Sequence, residues 1–173
     1  MYNSKVLLID DEKEILNEGK RLLVNHGFHV DTFESGTDAW NIFQNDFYPV
    51  VVTDLRMAKK SLDGLDVLAN IKKISPNTQV IIITGNGTEI DAVKSLNLHA
   101  FAYLIKSSPD YILLPAKVKE AFAEFAKLSD ILFDNSTAAV TQEKPLSTEE
   151  VRELLKDYPS WGEAVLQERA EAN

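Results

Sequence analysis

Lys5-Val6-Leu7-Leu8-Ile9-Asp10-Asp11 is an aliphatic run that stops on a pair of carboxylates. Three further runs have the same texture: Val50-Val51-Val52-Thr53 before Asp54, Gln79-Val80-Ile81-Ile82-Ile83 before Thr84, and Ala100-Phe101-Ala102-Tyr103-Leu104-Ile105 before Lys106. Runs that are apolar without alternation read as strands buried on both faces. His29 to Phe33 reads as a further, more exposed strand.

Between these runs the apolar period changes to that of a helix. Ile15, Leu16, Gly19, Leu22 and Leu23 fall on one face before Gly27 ends the segment. The rhythm returns with Ala39, Trp40 and Phe43, with Leu65, Leu68 and Ile71, with Ile90, Val93 and Leu96, and with Val118, Ala121, Phe122 and Phe125. Strand and helix in strict alternation predict right-handed crossovers and an α/β fold: a doubly wound parallel sheet of five strands inside a three-layer sandwich. Sites in such folds lie at the carboxyl ends of the strands.

The residues waiting at those ends are Asp10 and Asp11, Asp54, Thr84 and Lys106. Carboxylates gathered this closely repel one another, so the cluster must raise a pKa, bind a cation or keep a lysine near. Oxygen ligands favour a hard ion such as Mg²⁺, held by Asp11 and Asp54 with Asp10 acting through water. Asp54 is then placed to attack a phosphoryl group, with Lys106 steadying the transferred oxygens and Thr84 bonding one of them. Each residue has an ordinary reading as well: Asp11 as a helix cap, Asp54 and Thr84 as turn residues, Lys106 as a surface lysine at a strand end. Their coincidence at four strand ends favours the site.

At these residues the sequence resembles the receiver domains of bacterial response regulators. The resemblance rests on Val6-Leu-Leu-Ile-Asp-Asp-Glu12, Val50-Val-Val-Thr-Asp-Leu-Arg-Met57, Ile81-Ile-Ile-Thr-Gly85 and Ala100-Phe-Ala-Tyr-Leu-Ile-Lys106, and spans roughly residues 5 to 127. It implies a flavodoxin-like strand order 2-1-3-4-5 and a phosphoacceptor at Asp54. It further implies Mg²⁺ held by Asp10, Asp11, Asp54 and the Arg56 backbone carbonyl, with Lys106 on the phosphate and Thr84 and Tyr103 as a switch pair. Its partners would be a sensor histidine kinase or phosphotransfer protein and a downstream protein, with a phosphorylation-dependent homodimer as one form of output. The only catalysis implied is the gain and slow loss of a phosphoryl group, so the chain is not expected to be an enzyme in its own right.

Two stretches depart from the family pattern. Ala58-Lys-Lys-Ser-Leu-Asp-Gly64 lacks the usual proline after Met57 and reaches its Asp-Gly pair two residues late, and Ser107 follows Lys106 where proline is usual. These loops leave open a phosphorylation-independent docking module as the alternative reading. A nucleotide-binding enzyme is disfavoured because no Gly-rich phosphate loop follows the first strand.

Composition narrows the setting. A formal net charge of -9 disfavours direct nucleic-acid binding. With no cysteine in the chain, disulfides and thiolate metal sites are excluded. The apolar run near the N-terminus is too short for a signal peptide or membrane span, so a cytoplasmic location away from membranes is expected. The expected organisation is a receiver over residues 1–132, a polar linker over 133–146 and short helices within 147–173. The helices would begin near Ser147-Thr-Glu-Glu150 and Ser160-Trp-Gly-Glu163. Such a tail is too small for the usual DNA-binding or cyclase output domain.

Overall fold

The computed structural model describes residues 4–57, 61–106 and 109–138. Strands β1 (Lys5–Ile9), β2 (His29–Phe33), β3 (Val50–Asp54), β4 (Gln79–Thr84) and β5 (Ala102–Ile105) alternate with helices α1 (Lys13–Asn25), α2 (Gly36–Phe43), α3 (Gly64–Ile74), α4 (Glu89–Asn97) and α5 (Leu114–Ala138). A short 3₁₀ turn, Pro109–Leu113, precedes α5. All the pairings are parallel, in the expected order β2-β1-β3-β4-β5.

The pleat sends alternate side chains to opposite faces. Val6, Leu8, Val50, Val52, Ile81 and Ile83 meet Leu16, Leu23, Val118 and Ala121 of α1 and α5 in one core. Leu7, Ile9, Val51, Val80 and Ile82 meet Ala39 and Phe43 of α2 and Val67, Leu68 and Ile71 of α3 in the other. The central strands β3 and β4 are buried along their whole length, which is why they carry no polar alternation.

The expectation for α4 needs correcting. The helix forms where the spacing of Ile90, Val93 and Leu96 predicts it, yet those side chains are 67%, 51% and 59% exposed. The residues that α4 buries are Asp91 and Ser95, each satisfied by hydrogen bonds: Thr88 and Arg56 donate to Asp91, and Ser95 donates to the Asp91 carbonyl. Polar groups with partners of their own take the inward face, and the apolar stripe is left facing water.

By internal contacts the chain divides into Met1–Ser129 and Asp130–Asn173. The expected linker begins at 133, whereas α5 continues helical to Ala138. The remainder of that linker, both expected C-terminal helices, Ala58 to Lys60 and the Lys106–Ser107 peptide lie outside the described residues.

Candidate functional site

The carboxyl ends of β1, β3 and β5 bring Asp10, Asp54 and Lys106 together. Asp54 and Thr84 are the last residues of their strands. Asp10 is 0% and Asp54 4% exposed. The Lys106 Nζ lies 2.6 Å from Asp10 Oδ2, 3.1 Å from Asp54 Oδ1 and 3.7 Å from Glu12 Oε1. Asp10 Oδ1 also accepts the Glu12 N–H at 3.0 Å, and Asp54 Oδ2 accepts the Arg56 N–H at 3.2 Å. The helix cap at α1 is Glu12, so Asp11 is not the capping residue. Asp11 stands exposed at the mouth of the cluster, with one carboxylate oxygen within 4.8 Å of oxygens from Asp10 and Asp54.

Burial sets the electrostatics. Loss of water pushes the Asp54 carboxyl above the usual carboxylate range, opposed by Lys106 and reinforced by Asp10. The Asp10 carboxyl is raised for the same first reason, with Lys106 pulling the other way. Burial by itself would lower Lys106, but the two carboxylates beside it outweigh that and hold its ammonium above the ordinary lysine range. Two buried carboxylates therefore share one lysine while a third stands at the rim. An all-oxygen donor set with surplus negative charge fits a hard divalent cation.

Gly64 lets this loop close. A Cβ there would overlap the Asp54 carbonyl oxygen and lie 2.9 Å from Leu55 Cα, so a glycine is needed for α3 to start directly beneath β3. Asp63 caps α3 in a capping box with Asp66. Ser61 holds the returning loop against the start of α2, accepting from Thr37 N–H at 3.2 Å.

Thr84 is buried, and its Oγ1 accepts the Asn86 N–H at 3.3 Å. Tyr103 is half-buried with its hydroxyl over Gly87, where any Cβ would overlap that oxygen and lie 2.6 Å from Thr84 Cγ2. Among the described residues that hydroxyl has no hydrogen-bond partner. All six side chains expected at this site thus lie toward one edge of the sheet, with Lys106 paired to Asp10 and Asp54, an Asp11 oxygen within 4.8 Å of theirs, and Thr84 and Tyr103 meeting across Gly87. Sequence reasoning missed Gly87, Asp91 and the Arg56 side chain, whose Nη2 lies 2.8 Å from Asp91 Oδ2. The pattern Thr88-Glu-Ile-Asp91 is a capping-box signature and could have marked Asp91 in advance.

Fold and site together define an α/β domain with an acidic, lysine-bearing pocket at its carboxyl edge. The chain belongs to the response regulator receiver domain family, whose model matches residues 6–116, and it is therefore a signalling domain of two-component systems. It is 31% identical over 125 residues to the transcriptional regulatory protein GlrR of Escherichia coli, a match covering 72% of this chain and only 28% of GlrR. A response regulator receiver domain protein from Clostridium thermocellum superposes with a TM-score of 0.66 at 38% identity, covering 72% of this chain and 98% of that one. The response regulator TrrA of Thermotoga maritima, solved in complex with Mg²⁺-BeF, superposes with a TM-score of 0.60 at 28% identity, covering 68% of this chain and 97% of TrrA. Among the described residues no helix is long and apolar enough to cross a membrane.

Proposed function

We propose that this chain is a phosphoacceptor whose Asp54 takes a phosphoryl group from the phosphohistidine of a sensor kinase or phosphotransfer protein and passes the signal to a downstream protein. The observation that carries the reading is the buried Asp54 carboxylate 3.1 Å from Lys106, within a cluster whose negative charge that lysine does not balance. An Asp54 oxygen attacks phosphorus as the P–N bond of the donor breaks; the imidazole nitrogen recovers the electron pair, and an acyl phosphate remains on the protein. Lys106 offers its N–H groups to the phosphoryl oxygens, and Thr84 offers its hydroxyl. Asp10, Asp11, Asp54 and the Arg56 carbonyl would hold Mg²⁺, which when bound neutralises charge on the transferring oxygens. The Mg²⁺-BeF complex of TrrA supports the choice of ion.

Once made, the acyl phosphate favours the loop geometry in which Thr84 and Lys106 reach it, with Tyr103 following Thr84. The outward stripe Ile90, Val93 and Leu96 is the surface such a change would present to a partner or to a second copy of the chain.

The test is intact mass after incubation with acetyl phosphate, with and without Mg²⁺, for the wild type and Asp54→Ala. A metal-dependent gain of one phosphoryl group that the variant lacks is expected. A folded wild type that gains nothing would overturn the proposal in favour of a docking module that works without phosphate.

A further inference from the structure

We propose that the Arg56–Asp91 ion pair is a tether by which the loop leaving Asp54 holds the first turn of α4, making both side chains positioning residues for the helix that carries the outward apolar stripe. The inference deepens the phosphoacceptor reading and rests on it only for what happens after phosphorylation.

Three donors converge on one oxygen. Asp91 Oδ2 accepts the Thr88 N–H at 3.2 Å, the Thr88 hydroxyl at 2.8 Å and Arg56 Nη2 at 2.8 Å. The first belongs to the capping box that starts α4, and the second ties the same two residues side chain to side chain. The third crosses from α4 to the loop after β3, where the Arg56 N–H already donates to Asp54 Oδ2. Two hydrogen bonds through one residue thus join the Asp54 carboxylate to the cap of α4.

The rest of α4 explains why that link matters. α3 buries Gly64, Val67, Leu68 and Ile71, whereas α4 buries only Asp91 and Ser95. A helix with so little apolar burial gains little from tertiary packing, so its polar contacts decide how firmly its first turn is held. The carboxylate of Asp91 is almost wholly shielded while the Arg56 side chain lies over it, mostly in water. A shielded carboxylate with a bonded guanidinium is held more firmly than an open surface pair.

Amide hydrogen exchange on the full chain tests the tether, first in the resting protein without a phosphoryl donor. Arg56→Gln removes the guanidinium, and Asp91→Asn keeps an oxygen for Thr88 while removing the charge. Each single change is expected to raise exchange across residues 89–97 about fivefold, leaving α1 and α3 as they were, with the double variant no faster than either single one. Arg56→Lys should restore part of the protection. Unchanged exchange in Arg56→Gln, or a double variant whose increase is the product of the two single increases, would overturn the tether. After acetyl phosphate and Mg²⁺, Asp91→Asn should gain a phosphoryl group as the wild type does but lose the accompanying change in α4 exchange. A wild type that gains no phosphoryl group would sink the phosphoacceptor reading, while the resting measurements would still decide the tether.

Discussion

Two clusters built from the same residue types lie at the two ends of β1, and they behave as opposites. At its start, the Lys5 Nζ is 3.1 Å from Asp31 Oδ2, also pairs with Asp46, and sits 4.5 Å above the ring of Tyr48, whose hydroxyl donates to Asp31 at 2.8 Å. Both carboxylates there are half open to water. At the other end, Asp10 and Asp54 are sealed from water around Lys106. The contact with Lys5 lowers the Asp46 carboxyl, while burial raises those of Asp10 and Asp54. Charged residues in contact are therefore no sign of a site in themselves. The sign is negative charge kept from water and left only partly balanced, because such a group has a free-energy reason to take up a cation or a phosphoryl group.

The largest difference is expected from removing the lysine at each end. Lys106→Met leaves two buried carboxylates facing each other and should cost about 3 kcal/mol in urea denaturation with a chelator present. Lys5→Met should cost a small fraction of that, since exposed ion pairs hold little free energy. Equal losses would break the contrast and assign both clusters the same structural role.

Glycines sharpen it at a smaller scale. Gly27, in the turn that leads from α1 to β2, has φ of 88° and open space within 4 Å of where a Cβ would stand, so its need is conformational. Gly87 is required by its neighbours, the Tyr103 hydroxyl first and Thr84 Cγ2 second. Gly87→Ala should cost about 1 to 3 kcal/mol by overpacking, and Gly27→Ala about 1 kcal/mol by left-handed strain. In a Tyr103→Ala background the Gly87 penalty should shrink to what Thr84 Cγ2, 2.6 Å from the same position, still imposes, and the Gly27 penalty persist in full, as read by thermal denaturation of the four variants and the two backgrounds. A Gly87 penalty undiminished by loss of the ring would mean that Tyr103 is not what occupies that space.

How far the sequence alone reached follows the same division between burial and partnership. Unbroken aliphatic runs made the buried strands plain, and with them the edge where Asp10, Asp54, Thr84 and Lys106 gather, because a parallel topology sends every strand end the same way. The orientation of α4 was hidden, since the stripe Ile90, Val93 and Leu96 has the period of a core face and nothing local says that Asp91 and Ser95 have partners inside. Arg56 lies in the family motif, but the direction of its side chain depends on Asp91, which is brought to it only by folding. Gly87 could not be told from a turn glycine until the Tyr103 ring was in place above it.

The smallest effect, and the most direct comparison of the two ends, lies in the pH dependence of stability without divalent cations. For Asp54 the folded pKa is raised above the unfolded one, so the native state holds protons more tightly. Its contribution grows less favourable as pH climbs from the ordinary carboxylate value near 4 through the raised folded value. Asp54→Asn should therefore be more stable than the wild type at neutral pH, with the gap closing on acidification as the wild-type carboxyl takes up its proton. Asp46 has the opposite sign: its folded pKa is lowered, and the stability it gives above the unfolded value is lost as pH falls through the folded one. Asp46→Asn should thus be the less stable protein at neutral pH and converge on the wild type from below in acid. Curves of unfolding free energy against pH that shift in the same direction for both variants would refute the claim that access to water separates the two clusters. Opposite shifts would show that the end bearing Asp54 gives up stability to keep its charge, as a site poised for a cation must.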